Sequence, residues 1–202
     1  MNAKLVKWFG YFGIIAPIFG FAMVFAAIST APWFNWTENA LSDLGVEGLT
    51  AIIFNDGLGM TACLLALFSL GVYEMTKMDI YGKASFVLLF AAAVFLLFIG
   101  VFPETAGRIH TYFSVAFFVT LPISGWAFAA HAWRRGMRNM AYLSIASGVI
   151  ATLVWLPSWD GVAIPEAVSA LSMGIWSEVL GYWMIRRESE EVEAVYRPNV
   201  IV

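Results

Sequence analysis

The chain has 202 residues, of which 61% are hydrophobic, 16% aromatic and only 12% charged, against about 25% charged in a typical soluble domain. A water-soluble fold of this length cannot hide so much apolar surface, so the relevant solvent is lipid. The net charge of −3 and an isoelectric point near 5.3 argue against nucleic acid as a partner, because phosphate binding requires a concentrated basic face.

Six apolar segments follow in chain order, roughly 8–29, 50–73, 84–101, 110–133, 139–157 and 166–185. Each is close to the roughly 17 to 25 residues that an α-helix needs to cross a hydrocarbon core of about 30 Å. Backbone in hydrocarbon must satisfy its own hydrogen bonds, which makes these segments helices and not strands. The predicted fold class is therefore an all-α integral membrane protein. Residues 1–187 form a bundle of six transmembrane helices, and 188–202 form a tail on the cytoplasmic side.

The first segment begins like a signal peptide, after Lys4 and Lys7, but its apolar stretch from Trp8 to Ser29 carries no convincing small-x-small cleavage pattern. It is read as a retained helix. The basic residues set the orientation: Lys4, Lys7, Lys77, Lys83, Arg134, Arg135, Arg138, Arg186, Arg187 and Arg197 all fall on one side, and Arg108 alone on the other. By the positive-inside rule both termini face the cytoplasm, in a multi-pass protein of the cell membrane. Trp8, Trp133 and Trp183 then lie at the inner interface, and Trp33, Trp36, Trp155 and Trp159 at the outer one. Pro17 and Pro122 are candidate kinks. Cys63, the only cysteine, can form no intrachain disulfide.

Most polar residues that resist a packing explanation lie in the outer loops. The first loop, Pro32 to Gly48, reads PWFNWTENALSDLGVEG and is aromatic enough to lie in the membrane interface. Within it Asn39, Ser42 and Asp43 share one face of a short helix that Gly45 ends, with local caps and turns as the structural alternative. Asn55 and Asp56 lie about six residues into the second segment. A carboxylate at mid-membrane costs on the order of 2.5 to 3.5 kcal/mol and normally faces the interior with a partner, unless the segment sits shallow enough to leave it among headgroups.

The turn GVFPETAGRIH between the third and fourth segments brings Glu104, Arg108 and His110 to the mouth of the fourth. Arg108 is the expected counter-ion for Asp43, Asp56 or Glu104, or for an anionic headgroup, so that Arg108→Ala should cost several kcal/mol. Ser114 follows His110 at i+4, within hydrogen-bonding reach on a helix. Asp160 and Glu166 read as solvated loop carboxylates, with membership of the same rim as the alternative. Glu178, inside the sixth segment, is protonated, paired with His131 or Lys83, or exposed to a water-filled cavity.

His110 and His131, the only histidines, are 21 residues apart, about 31 Å along a helix, and cannot share one ion. A metal site would combine His110 with Asp43, Asp56 and Glu104, and zinc, Ca²⁺ and Mg²⁺ are all compatible with such a set. A divalent cation is the one cofactor this chemistry allows. No nucleotide, flavin, haem or retinal is expected, since Walker and Rossmann glycine motifs and a central helix lysine are missing.

NALSDLG at 39–45, IFNDGL at 53–58 and GVFPE followed by His110 resemble the six-helix archaeal and actinobacterial membrane family known as domain of unknown function number 998. The first loop is also similar, more distantly, to the group of damage-regulated autophagy modulators and GPI-anchor remodelling factors. The resemblance implies a six-helix fold, an outward-facing site and a lipid-related role.

Three functions fit these residues. In the first, an outer polar site binds a lipid headgroup or cation, with Arg108, Asn39, Asn55, Asp56 and Glu104 as contacts. In the second, a membrane hydrolase or transferase acts on lipid, with His110 as general base or metal ligand, Asp43 as ligand or orienting carboxylate, and Ser42 or Ser114 as nucleophile. In the third, protons or ions pass along Asp56, Glu178, Ser144, Ser147 and Thr152. Membrane lipids are the expected partners, with a homo-oligomer left open.

Overall fold

The computed structural model describes residues 2–196, with side chains through residue 186. Six α-helices account for nearly all of them: α1 (Ala3–Ser29), α2 (Gly48–Thr76), α3 (Ile80–Val101), α4 (Arg108–Arg134), α5 (Arg138–Leu153) and α6 (Ala163–Tyr196). Four of these, α1 to α4, are long and apolar enough to cross a membrane. The fifth is 16 residues, about 24 Å at 1.5 Å per residue, and α6 is longer but diluted by Ser169, Ser172, Ser177 and Glu178.

The helices overrun the apolar segments because polar residues cap them beyond the hydrocarbon. Asn2 accepts from the Leu5 N–H at 3.3 Å to start α1, and Asp79 accepts from Gly82 N–H at 3.2 Å to start α3, the usual N-cap geometry. The fifth segment is expected to reach 157, yet α5 ends at Leu153. Pro157 disfavours helix in the residue before it, and the Trp159 indole donates to the freed Val154 carbonyl at 2.9 Å. The tail expected from 188 is instead a continuation of α6 as far as Tyr196. Residues 197–202, with Arg197, lie outside the described residues.

Each helix packs on its neighbours in sequence and α6 closes on α1, so the bundle is a ring of six. Phe68, Trp176 and Phe128 fill its middle edge to face, with Trp176 5.8 Å from Phe128 and 6.3 Å from Phe68. The buried indole N–H donates to Ser144 Oγ at 2.7 Å. Polarity is inverted relative to a soluble protein: Ser69, Ser85, Ser124, Ser144 and Ser169 are fully buried, while Ile18, Ile52, Val87, Val115 and Leu171 are exposed. Small and hydroxylated residues inside and aliphatic ones outside is the pattern of helices that associate in lipid.

Pro17 shows how the backbone is satisfied. Lacking an N–H, it leaves the Gly13 carbonyl without its helical donor, and Ser177 Oγ from α6 donates to that oxygen at 3.0 Å. Close approach of α1 and α6 permits the bond, because a Cβ at Gly10 would come within 2.8 Å of the Gly181 carbonyl oxygen and 3.1 Å of Met184 Cβ. Gly59, also mid-helix, has only Leu97 Cδ1 near its hypothetical Cβ, at 3.7 Å. One substitution is thus expected to have opposite signs at the two positions. Gly59→Ala should stabilise by up to about 1 kcal/mol through helix propensity, and Gly10→Ala should destabilise by about 1 to 3 kcal/mol through overpacking, as read by thermal unfolding in detergent.

Candidate functional site

The site is built on the first loop, which folds back over the ends of α2 and α6. A short 3-10 turn, Leu41–Gly45, is organised by Asp43, whose Oδ2 accepts from Asn39 Nδ2 at 2.8 Å and from the Ala40 N–H at 3.0 Å. Asn55, two turns into α2, donates to the Gly45 carbonyl at 2.9 Å. A side chain at position 45 would put its Cβ 2.5 Å from Asn55 Oδ1, so glycine is needed for this close approach. The other side of the loop is tied to α6. Glu166 Oε2 accepts from the Leu41 N–H at 2.7 Å, and the Gly161 and Ala163 N–H groups each donate, at 2.9 Å, to the carbonyls of Thr37 and Asn39.

This loop delivers Ser42 and Asp43 to the turn after α3. Pro103 stops that helix and Glu104 opens the short 3-10 turn Glu104–Ala106. The Glu104 carboxyl lies close enough to Asp43 and Ser42 to interact with both. Its hydrogen bond to Asp43, burial and the Asp43 charge push Glu104 up to about 7. Burial also pushes Asp43 up, but hydrogen bonds from Glu104, Asn39 and the Ala40 N–H outweigh it and hold Asp43 below its ordinary value. The two carboxyls disfavour ionising together, and of the pair Glu104 is the one that keeps its proton to higher pH.

His110 is buried at the start of α4. Its Nδ1 lies 2.8 Å from the Phe102 carbonyl, which can only accept, so Nδ1 carries the hydrogen and Nε2 offers a lone pair. Ser114 Oγ, one turn on, meets that Nε2 at 3.3 Å. Ser42, Glu104, His110, Ser114 and Glu166 line one end of a groove of about 490 Å³ against α4. Its remaining length is walled by apolar side chains, among them Val115, Phe118, Val119, Ile123, Trp126 and Trp155. A second, apolar cavity of about 140 Å³ inside the bundle shares Ser42, Ser114, Phe118 and Glu166 with it.

Other expected members stand apart. Arg108 is exposed and forms no ion pair with Asp43, Asp56 or Glu104 among the described residues. Asp56 does not join the cluster. It projects from the outer face of α2 between the buried Phe54 and Gly57, because a helix turns about 100° per residue, and lines neither cavity. The metal set Asp43, Asp56, Glu104 and His110 is accordingly divided, and no three His, Cys, Asp or Glu among the described residues come together to hold an ion. Glu178 does not pair with His131, whose Nδ1 binds Asp79 at 2.8 Å, nor with Lys83, which is exposed. Asp160 is exposed.

Glu166, expected to be solvated, is only 8% exposed and central. Its position at i+3 from Ala163, in the first turn of α6, was the available signal, since a first-turn carboxylate serves nearby N–H groups. The Phe102 carbonyl left no signal in side-chain identities.

An all-helical bundle with four helices long and apolar enough to span a bilayer, and large aliphatic side chains exposed along them, is a membrane protein. The chain belongs to the family described as protein of unknown function DUF998, whose model matches residues 14–183. No curated protein and no solved structure matches it.

Two outcomes follow from this geometry. Because Glu104 holds its proton more tightly folded than unfolded, the stability it contributes is complete below the ordinary glutamate range and is lost as pH rises through about 7. Wild-type melting temperature should fall between about pH 5 and about pH 8, and Glu104→Gln, which keeps a donor but cannot ionise, should flatten the profile. Arg108→Ala, at an exposed and unpaired position, should change stability by no more than about 0.5 kcal/mol, overturning the several kcal/mol expected of a buried pair.

Proposed function

We propose that this is a six-pass protein of the cell membrane, with both termini cytoplasmic, that holds one membrane lipid in the groove along α4. The observation that carries the reading is the polarity gradient of that groove. Carboxyl, hydroxyl and imidazole groups lie at one end, and aliphatic and aromatic side chains extend from Val115 to Trp126. From His110 to Trp126 is 16 residues, about 24 Å of helix, enough to accept an acyl chain lying along it. The acidic end favours a headgroup rich in donors, an amine or hydroxyls, facing Glu104 and Glu166. Arg108 lies one turn before Thr111, which lines the groove, and supplies the contact for the lipid phosphate. The aromatic first loop would lie in the interface above the headgroup.

Conduction is less well supported by the geometry. Asp56 and Glu178 line neither cavity, and the Ser144 and Thr152 hydroxyls are engaged by carbonyls of their own helix at 2.7 and 2.9 Å.

Lipid extraction and mass spectrometry of the purified protein test the reading. Val119→Trp fills the apolar length without touching the polar end and is expected to reduce copurified lipid severalfold at unchanged melting temperature. Retention equal to wild type in this variant would remove the groove as the binding site.

A further inference from the structure

Most hydroxyl groups in these helices bond to backbone carbonyls. Thr61, Ser69, Thr76, Thr120 and Ser124 each donate to a carbonyl three or four residues earlier, at 2.6 to 2.7 Å, the common arrangement for serine and threonine in membrane helices. Ser169 and Ser172 donate instead to carbonyls of a neighbouring helix, Ser177 lies within reach of both the Gly13 carbonyl of α1 and the Gly174 carbonyl of its own helix, and the buried Ser85 hydroxyl has no partner among the described residues. Ser114 bonds to neither kind of carbonyl. Its partner is a ring nitrogen, His110 Nε2, at 3.3 Å, and it faces a groove large enough for a lipid.

The histidine is prepared for that contact by the chain break after α3. Pro103 begins the following turn, in which Ala106 N–H bonds the Pro103 carbonyl and Gly107 N–H bonds the Glu104 carbonyl. The Phe102 carbonyl is left for His110 Nδ1. One tautomer is thereby fixed, and the unprotonated Nε2 points at the serine hydroxyl. Nucleophile, base and orienting acceptor are the three parts that activate a hydroxyl in acyl transfer, here with a backbone carbonyl in the orienting position.

Resting on the reading of the groove as a lipid site, we infer that Ser114 is a nucleophile toward carboxylic esters of the bound lipid, with His110 as its general base. Ser114 Oγ bonds to the ester carbonyl carbon as its proton passes to His110 Nε2. Collapse of the tetrahedral adduct breaks the carbon–oxygen bond to the lipid alcohol, and the alkoxide takes the proton from Nε2. Water then attacks the acyl-serine, giving a proton to Nε2. Ser114 Oγ leaves, recovers that proton and releases the fatty acid. The sum is ester plus water to carboxylic acid plus alcohol, with no other reactant.

The test uses the full chain in lipid nanodiscs, treated with an alkyl fluorophosphonate, which phosphonylates activated serines, followed by peptide mapping. The modification is expected on Ser114, to vanish in Ser114→Ala, to persist in Ser158→Ala, at an exposed position that lines neither cavity, and to slow by about 10²-fold or more in His110→Gln. Melting temperatures identify any variant that fails to fold, and mapping of the wild-type protein decides the site without a variant. A wild-type protein left unlabelled at Ser114, or labelled there at equal rate in folded His110→Gln, would overturn the inference. Lipid retention distinguishes the two readings: retained lipid with no labelling removes the nucleophile and leaves the groove, whereas retention indifferent to Val119→Trp removes the groove itself.

Discussion

The candidate site depends on the attachment of the first loop to the start of α6. The Glu166 carboxylate side chain, 8% exposed, receives the Leu41 N–H at 2.7 Å across 125 residues of sequence. Two backbone hydrogen bonds from Gly161 and Ala163 extend the seam. On its far side the Asn55 amide holds the Gly45 carbonyl. Held from both sides, the 3-10 turn brings Ser42 and Asp43 against Glu104 and covers the head of the groove. Without it the same carboxyls would lie in separate, solvated loops.

Lipid as solvent explains most of the remaining architecture. No hydrophobic force separates aliphatic surface from hydrocarbon, so the interior is assembled from close backbone approach and hydrogen bonds between helices. The Gly10–Gly181 crossing, the Ser177 bond to the carbonyl freed by Pro17, and the Trp176–Ser144 contact are of this kind. At the end of α4 remote from His110, His131 is held by Asp79, the cap of α3. The two histidines of the chain thus serve opposite ends of one helix, each oriented by an acceptor from the turn beside α3.

Helix number and approximate position are legible in the sequence because lipid solvation leaves long apolar runs with polar ends. Parts of the site are legible for a different reason. Asn39 and Asp43 are four residues apart, as are His110 and Ser114, so local geometry alone brings each pair within reach. The direction of Asp56 is not legible, because composition shows that a carboxylate is in a helix but not which way it faces, and one residue of rotation separates inside from outside. Nor is the burial of Glu166, since a carboxylate beside a loop looks solvated unless the distant loop that covers it is known. Pairing across 125 residues, and a backbone carbonyl as a histidine's partner, lie beyond periodicity and spacing.

The outward face of Asp56 also serves as a depth gauge. A carboxylate directed at hydrocarbon carries a penalty of on the order of 2.5 to 3.5 kcal/mol at mid-depth, which fades toward the headgroups, so Asp56 favours the level of the headgroups. From Asp56 to the end of α2 at Thr76 is 20 residues, about 30 Å of helix, which matches the hydrocarbon thickness of a bilayer. A Cβ at Gly100 would lie 2.7 Å from the Asn55 carbonyl oxygen, so α3 reaches the same level just before Pro103 ends it. In the proposed six-pass arrangement, the carboxyl pair, the histidine and the serine would lie near the boundary between headgroups and oil, the depth at which glycerol esters of the surrounding lipids reside.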